Sequence, residues 1–320
     1  MRLVVFLAAL LTLPGLSFAH TKWFAQGELQ PLTTSEPVLL YLTVWALIAA
    51  SFIAIGYLLE KRYTLQLEFL HPKPGHAFAR ASSIFSMVAG AFFMIAGAYG
   101  YLFSPNLTME SGIPGFLITA QVIIGLAFFL GIAARVAGLG LIALWMVGFL
   151  YSPAILMLEN LWVVSTGLFI LFVGNEYFSL VSFRILGKYV HSYRTYALPL
   201  LRLGTGATLL ILGFSEKILH PEYGINFLEH HSWNFVHSLG FGWFTDVLFT
   251  ISAGSVEALF GIIFILGILT RLNALAVAIF FSIPLFILGP MELAGHMPHF
   301  AAVVILLMFG AGRHFRVVSA

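Results

Sequence analysis

One carboxylate stands where a membrane chain can least tolerate it. Glu257 lies about midway along the apolar run 247–269, with Gly254 and Ser255 beside it. A carboxylate at bilayer depth costs about 2.5–3.5 kcal/mol on insertion scales, so it marks a functional-site candidate. Ionised, it needs a cation. Protonated, it can move a proton, hydrogen-bond a quinone carbonyl, or bond a neighbouring helix as structural glue. Arg202 lies about one turn inside the inner end of the run 197–215 and is the expected partner of an ionised Glu257. Helix rise leaves the two Cα atoms roughly 10 Å apart in depth, a gap that a long arginine closes only in part. Glu216 and Lys217 end the same run on the other side and read as a surface ion pair of small energetic weight.

Histidines form a second constellation. Of eleven, His20, His220, His230, His231, His237, His296 and His299 fall on the expected outer side. Glu292, His296 and His299 would share one face of a continuous helix. Gly295 and Pro298 work against that continuity, although Pro298 suits a first helical turn. Imidazoles with a carboxylate suit zinc, copper or nickel, and an N-terminal His20 would offer its amine and ring to copper. The alternative is a solvated interfacial loop whose histidines bind nothing. The chain has no cysteine, which excludes thiolate metal sites, iron–sulfur clusters and c-type haem attachment. It shows no nucleophile–base pair and no nucleotide-binding motif. The remaining cofactor candidates are a quinone and a copper or zinc ion.

These residues must be positioned by elements that live in lipid. The chain is 60% hydrophobic and 9% charged, against about 25% charged residues in soluble domains. The lipid bilayer is therefore a partner, and nucleic acid is not. Residues 1–19 read as a signal peptide: Arg2, the apolar core Leu3–Leu11, and Ser17-Phe18-Ala19 as the cleavage site. Cleavage would leave His20 first, followed by an outer segment 20–37. Nine apolar runs then read as transmembrane helices near 38–59, 82–103, 114–134, 136–152, 157–174, 197–215, 247–269, 272–289 and 298–312. With the mature N-terminus outside, twelve Lys and Arg fall inside, and Lys22 and Lys217 fall outside. That bias fits a bacterial-type inner (plasma) membrane with a periplasmic N-terminus and a cytoplasmic C-terminus.

The nine runs divide as one plus four plus four. Gly125–Leu144 and Gly261–Phe280, offset by 136 residues, agree at seven of twenty positions in a Gly-x5-Gly-x3-Arg frame. Gly90 and Gly97 match Gly206 and Gly213 at an offset of 116. Such echoes signal a duplication, here of two four-helix bundles, 82–174 and 197–312, pointing the same way because each has an even number of spans. The expected fold class is an all-α integral membrane protein: one helix plus two parallel tandem bundles. Arg135 and Arg271 correspond and read as headgroup anchors. Gln121 stands opposite Glu257, and Ser86 opposite Arg202. The ionisable groups belong to the second copy, which also carries about twenty extra residues in its first outer loop, 216–246.

The run Leu201-Arg202-x3-Gly206-x6-Gly213-x3-Lys217 resembles the first helix of the DoxX family. The run Glu257-x3-Gly261-x5-Gly267-x3-Arg271 resembles that family's second helix and the turn after it. The resemblance covers 197–312, with 82–174 a degenerate relative. It implies a four-helix membrane unit whose functional candidates are Arg202, Lys217, Glu257 and Arg271. Some family members are accessory subunits of thiosulfate:quinone oxidoreductase or of other membrane oxidoreductase complexes, so oxidoreductase subunits are candidate partners. Three readings follow. The first is a quinone-interacting or accessory subunit. The second is an envelope metal-binding or metal-transport protein using His20, His230, His231, His237, Glu292, His296 and His299. The third is a structural scaffold.

Overall fold

A computed structural model describes residues 29, 34–63, 67–72, 76–175, 177–181, 184–288 and 291–318. The expected signal peptide and His20 lie outside the described residues. Among the described residues the chain is helical and has no strand. In chain order the helices are α1 (Val38–Tyr63), α2 (Ala77–Ala98), α3 (Gly115–Leu130), α4 (Ala134–Gly148), α5 (Ala154–Glu159) and α6 (Leu161–Val173). There follow α7 (Arg184–Val190), α8 (Ala197–Leu212) with a π-helical turn at Gly213–Ile218, α9 (Pro221–His231), α10 (Phe235–Ser238), α11 (Asp246–Leu266), α12 (Thr270–Leu288) and α13 (Met291–Phe309).

Four segments are long and apolar enough to cross a bilayer: Val38–Tyr63, Ala77–Ala98, Leu186–Ile218 and Asp246–Leu266. Five shorter apolar helices accompany them. This is an all-helical membrane protein. Three boundaries differ from the sequence expectation. The run placed at 82–103 begins earlier, at Ala77, and ends at Ala98, where the following loop turns inward. The run at 157–174 breaks at Asn160 into α5 and α6. The last helix begins at Met291 and passes through Pro298, so Glu292, His296 and His299 do lie on one continuous helix.

The neighbouring helices close a ring. Helix α2 packs on α3, α4 on α6, α6 on α8, α8 on α11, α12 on α13, and α13 returns to α2. Glycine sets the closest crossings. A Cβ on Gly90 would meet the Gly125 carbonyl oxygen at 2.5 Å, and one on Gly206 would meet the Gly261 carbonyl oxygen at 2.7 Å. Only a missing side chain lets backbones approach so closely. The echoed frame is thus physical: its first glycine makes the crossing. Its second glycine, Gly131 (φ +66°) or Gly267 (φ +68°), takes the left-handed conformation that ends α3 or α11.

Each echoed arginine caps the end of a later helix. Arg135 Nη2 donates to the Val173 carbonyl at the end of α6. Arg271 Nη2 donates to the Met308 carbonyl at the end of α13. These are last-turn carbonyls with no partner inside their own helix, so both arginines do more than sit among headgroups. Helix α1 packs along one side against α11, with Ala49 and Ile53 on Leu259 and Ile263, and leaves much of its apolar surface exposed. At that contact Trp45 Nε1 donates to Ser252 Oγ at 2.9 Å. Its Glu60 carboxylate pairs with Arg316 at 2.5 Å and accepts from the Leu269 backbone N–H.

Candidate functional site

Glu257 has a partner, and it is not Arg202. Lys217 Nζ donates to Glu257 Oε2 at 2.7 Å, with both side chains largely buried. The local backbone explains why. Beyond Leu212 the chain does not leave the bundle. It winds one π-helical turn through Gly213–Ile218, which carries Lys217 alongside α11. Single π turns recur at functional sites, where they re-aim a side chain. Glycine makes room for it: a Cβ on Gly254 would meet the Lys217 Cβ at 2.7 Å and the Gly213 carbonyl oxygen at 2.8 Å. Glu257 stands one helical turn beyond Gly254. The expected surface pair of Glu216 with Lys217 is therefore replaced by a buried arrangement. Glu216 is itself buried, and both it and Glu159 lie within electrostatic reach of Lys217.

Arg202 serves the opposite end of the bundle. It is fully buried and donates to the Phe264 and Ile265 carbonyls at the end of α11. It also reaches the Ala311, His314 and Phe315 carbonyls at 3.3, 3.3 and 2.7 Å. Five carbonyls from two chain ends converge on one guanidinium. Arginine's planar fork of five donors suits that task. In the other set Ser86 Oγ donates to the equivalent Phe128 carbonyl at 3.3 Å.

Lys217 and Glu257 face a cavity of about 320 Å³. Its walls are apolar and aromatic: Leu209 and Leu212 of α8, Phe227 and Leu228 of α9, Phe280 and Phe281 of α12, Trp45 of α1, and Trp233, Phe244 and Phe249 around the α9–α11 connection. The polar groups reaching it include Lys217, Glu257, Thr250, Ser252, His296 and His299. An apolar space with a few convergent polar groups is the usual form of a small-molecule site, at the lower end of the roughly 300–1,000 Å³ such sites span. Residues of the segment 216–246, among them Phe227, Leu228, Trp233 and Phe244, form part of its wall. Gly224 allows α9 to lie against Thr250 of α11.

The position that aligns with Glu257 in the sequence echo is packed differently. Gln121, opposite Glu257 in the echo, accepts from the Phe103 backbone N–H at 2.7 Å. It donates to the Phe93 and Tyr101 carbonyls at 3.2 and 3.1 Å. Tyr101, Leu102, Phe103 and Leu107 are buried and fill the volume. A neutral amide offers both a donor and acceptors to fold that loop inward, which an ionised carboxylate cannot do.

The histidines divide. His296 and His299 are buried, with ring centroids 6.2 Å apart. His296 lies 5.3 Å from Phe281 and His299 lies 5.1 Å from Trp162. His230, His231 and His237 are exposed on α9 and α10, away from that pair. His230 Nδ1 sits 2.8 Å from the Asn226 carbonyl oxygen, and the His231 ring leans on Phe227. The side chain of Glu292 lies outside the described residues. Among the described residues no three His, Cys, Asp or Glu side chains gather as a metal site.

Sequence reasoning missed Trp45, Glu60 and Glu159. Trp45 carried a signal, since a tryptophan deep in a span departs from the interfacial habit. Glu159, inside the apolar stretch 154–173, carried the same signal as Glu257.

The fold and cavity define an all-helical membrane protein with a buried ion pair beside an apolar chamber. The DoxX family model matches residues 197–290, the stretch holding Arg202, Lys217, Glu257 and Arg271. No curated protein and no solved structure matches the chain.

Proposed function

We propose that this chain is a quinone-interacting subunit of a membrane oxidoreductase system, with its quinone headgroup site in the Lys217–Glu257 cavity. The observation that carries this reading is a single charged hydrogen bond facing an otherwise apolar, aromatic chamber. The residues fit the group. A quinone ring is planar and apolar on its faces, which Phe227, Phe281 and Trp233 can cover. Its carbonyls are acceptors only, and Lys217 Nζ and the two imidazoles supply donors. A bound quinone would contribute two-electron, two-proton carrier chemistry. Lys217 would orient one carbonyl, Glu257 would hold the lysine in place, and the aromatic wall would exclude water. The DoxX match over the same segment supports the assignment.

In this reading all nine apolar helices cross the bilayer as one plus two parallel sets of four. The matched crossings at Gly90–Gly125 and Gly206–Gly261 support the duplication. The basic bias sets the α9–α10 end outside. The first set, filled by its own loop, is the scaffold.

Titration of the detergent-purified protein with ubiquinone-1, read by tryptophan quenching, tests the reading. A hydrogen bond to a charged group is worth about 1.5–3 kcal/mol, so Lys217→Met weakens binding roughly 10- to 100-fold. Glu257→Gln weakens it in the same direction with the protein still folded. Equal affinity in wild type and both variants would refute the assignment.

A further inference from the structure

A second cavity lies beside the first, and two side chains, Leu212 and His299, border both, of which only His299 can carry a proton. It holds about 20 Å³ and is lined by polar groups, among them Ser104, Asn106, Glu159, Asn160 and Glu216. His299 lines this cavity and the Lys217–Glu257 chamber alike. The small cavity exceeds the roughly 10–15 Å³ that a single water needs, and it offers the several polar partners that keep a buried water in place. The large chamber is walled mainly by aromatic and aliphatic side chains, with Lys217, Glu257, Thr250, Ser252 and the two histidines reaching it.

We propose that His299 is the proton gate of the chamber, exchanging protons between a bound ligand and water in the polar side cavity. The proposal rests on the quinone reading for its ligand and on the two shared cavities for its path. Imidazole suits the task because one ring nitrogen can take a proton while the other gives one, close to neutral pH.

Ionisable groups gather nearby: Lys217 pairs with Glu257 and lies within electrostatic reach of Glu216 and Glu159, and all three carboxylates are buried. Groups that touch the His299 ring or share its two cavities come from several elements, with apolar Phe92 of α2 and Leu212 of α8 beside the polar ones. They include Glu159 and Trp162 of α5 and α6, Glu216 and Lys217 of the π turn, Glu257 of α11, Phe281 of α12, and His296 on its own helix. The step moves protons only. An imidazolium N–H breaks as an O–H forms on a quinone oxygen already reduced by the partner oxidoreductase, and a proton from outside, relayed through side-cavity water, restores the imidazolium. Electrons come and go through the partner oxidoreductase, not through these residues.

Trp162 provides a readout that needs no ligand. Its ring lies 5.1 Å from His299, and a protonated imidazole at that range quenches indole emission. The protein is titrated from pH 5 to 9, and Trp162→Phe isolates the Trp162 signal. The expected result is a sigmoidal rise with pH that is lost in His299→Gln. A Trp162 signal that is flat with pH, or unchanged in His299→Gln, overturns the gate. Should His299→Gln fail to fold, the wild-type and Trp162→Phe titrations decide alone. Should ubiquinone-1 not bind, the quinone reading falls, and the fluorescence titration still decides whether His299 exchanges protons with the side cavity.

Discussion

Removing Lys217 should strand Glu257, and the size of the effect can be worked out. The pair is 2.7 Å long, with only 12% and 7% of the two side chains exposed. Taking one partner from a buried pair costs about 3–5 kcal/mol when the other charge stays. The stranded carboxylate has another way out, which is to take up a proton. For a carboxyl of ordinary acidity at pH 7 that costs about 3.7 kcal/mol, which caps the loss. Lys217→Met should therefore destabilise by about 3–4 kcal/mol. Glu257→Gln leaves a buried ammonium that can still bond the amide oxygen, and should lose less. With both changes, neither charge remains, so the double variant should recover much of the single loss. A double-mutant cycle by reversible denaturation in mixed micelles measures this, with an expected coupling above about 2 kcal/mol. Sites that do not interact add within roughly 0.3–0.5 kcal/mol. A coupling that small would refute the buried pair.

Three further outcomes follow from the packing. Arg202→Met abandons five backbone carbonyls and should cost at least 3 kcal/mol on the scale of about 1–3 kcal/mol for a buried polar group left unsatisfied. Arg202→Lys should not restore it, because one ammonium cannot span two chain ends. Both are read by thermal unfolding in detergent, and quinone affinity in any surviving fold should be unchanged. Gly206→Ala places a methyl 2.7 Å from the Gly261 carbonyl oxygen and should cost about 1–3 kcal/mol by overpacking, seen as a lowered melting temperature. Gln121→Glu turns two donated hydrogen bonds into repulsion at the Phe93 and Tyr101 carbonyls. It should loosen the 101–107 loop, seen as faster hydrogen exchange at Phe103.

The framework was legible because membrane physics writes it in simple symbols. Apolar runs located the helices, and the repeated Gly-x5-Gly-x3-Arg marked a crossing, a left-handed cap and a helix-end arginine. Glu257 was legible as a buried charge. Its partner was not. Helix rise compared Glu257 with Arg202, but Arg202 is consumed by carbonyls of α11 and the C-terminal segment. Lys217 looked like an outer surface residue because the apolar run ends near it, and no propensity announces the π turn that carries it inward. The cavity was illegible for a related reason. Its wall joins residues as distant as Trp45 and Ser252, whose hydrogen bond spans 207 positions. Glu60 drew no notice beside Lys61 and Arg62 at the end of the first apolar run, whereas the α11–α12 turn buries it. The histidines divide: His230, His231 and His237 lie exposed on α9 and α10, whereas His296 and His299 are buried side by side in α13.

The most direct measurement of the central assignment is photolabelling with an azido-quinone in native membranes, with the labelled peptides read by mass spectrometry. Label should fall on residues that line the chamber, such as Trp233, Phe235 and Phe281. It should be competed by ubiquinone-1 and reduced in Lys217→Met. Label spread along the lipid-facing surface of α1, uncompeted and unchanged in that variant, would contradict a quinone site at the Lys217–Glu257 pair.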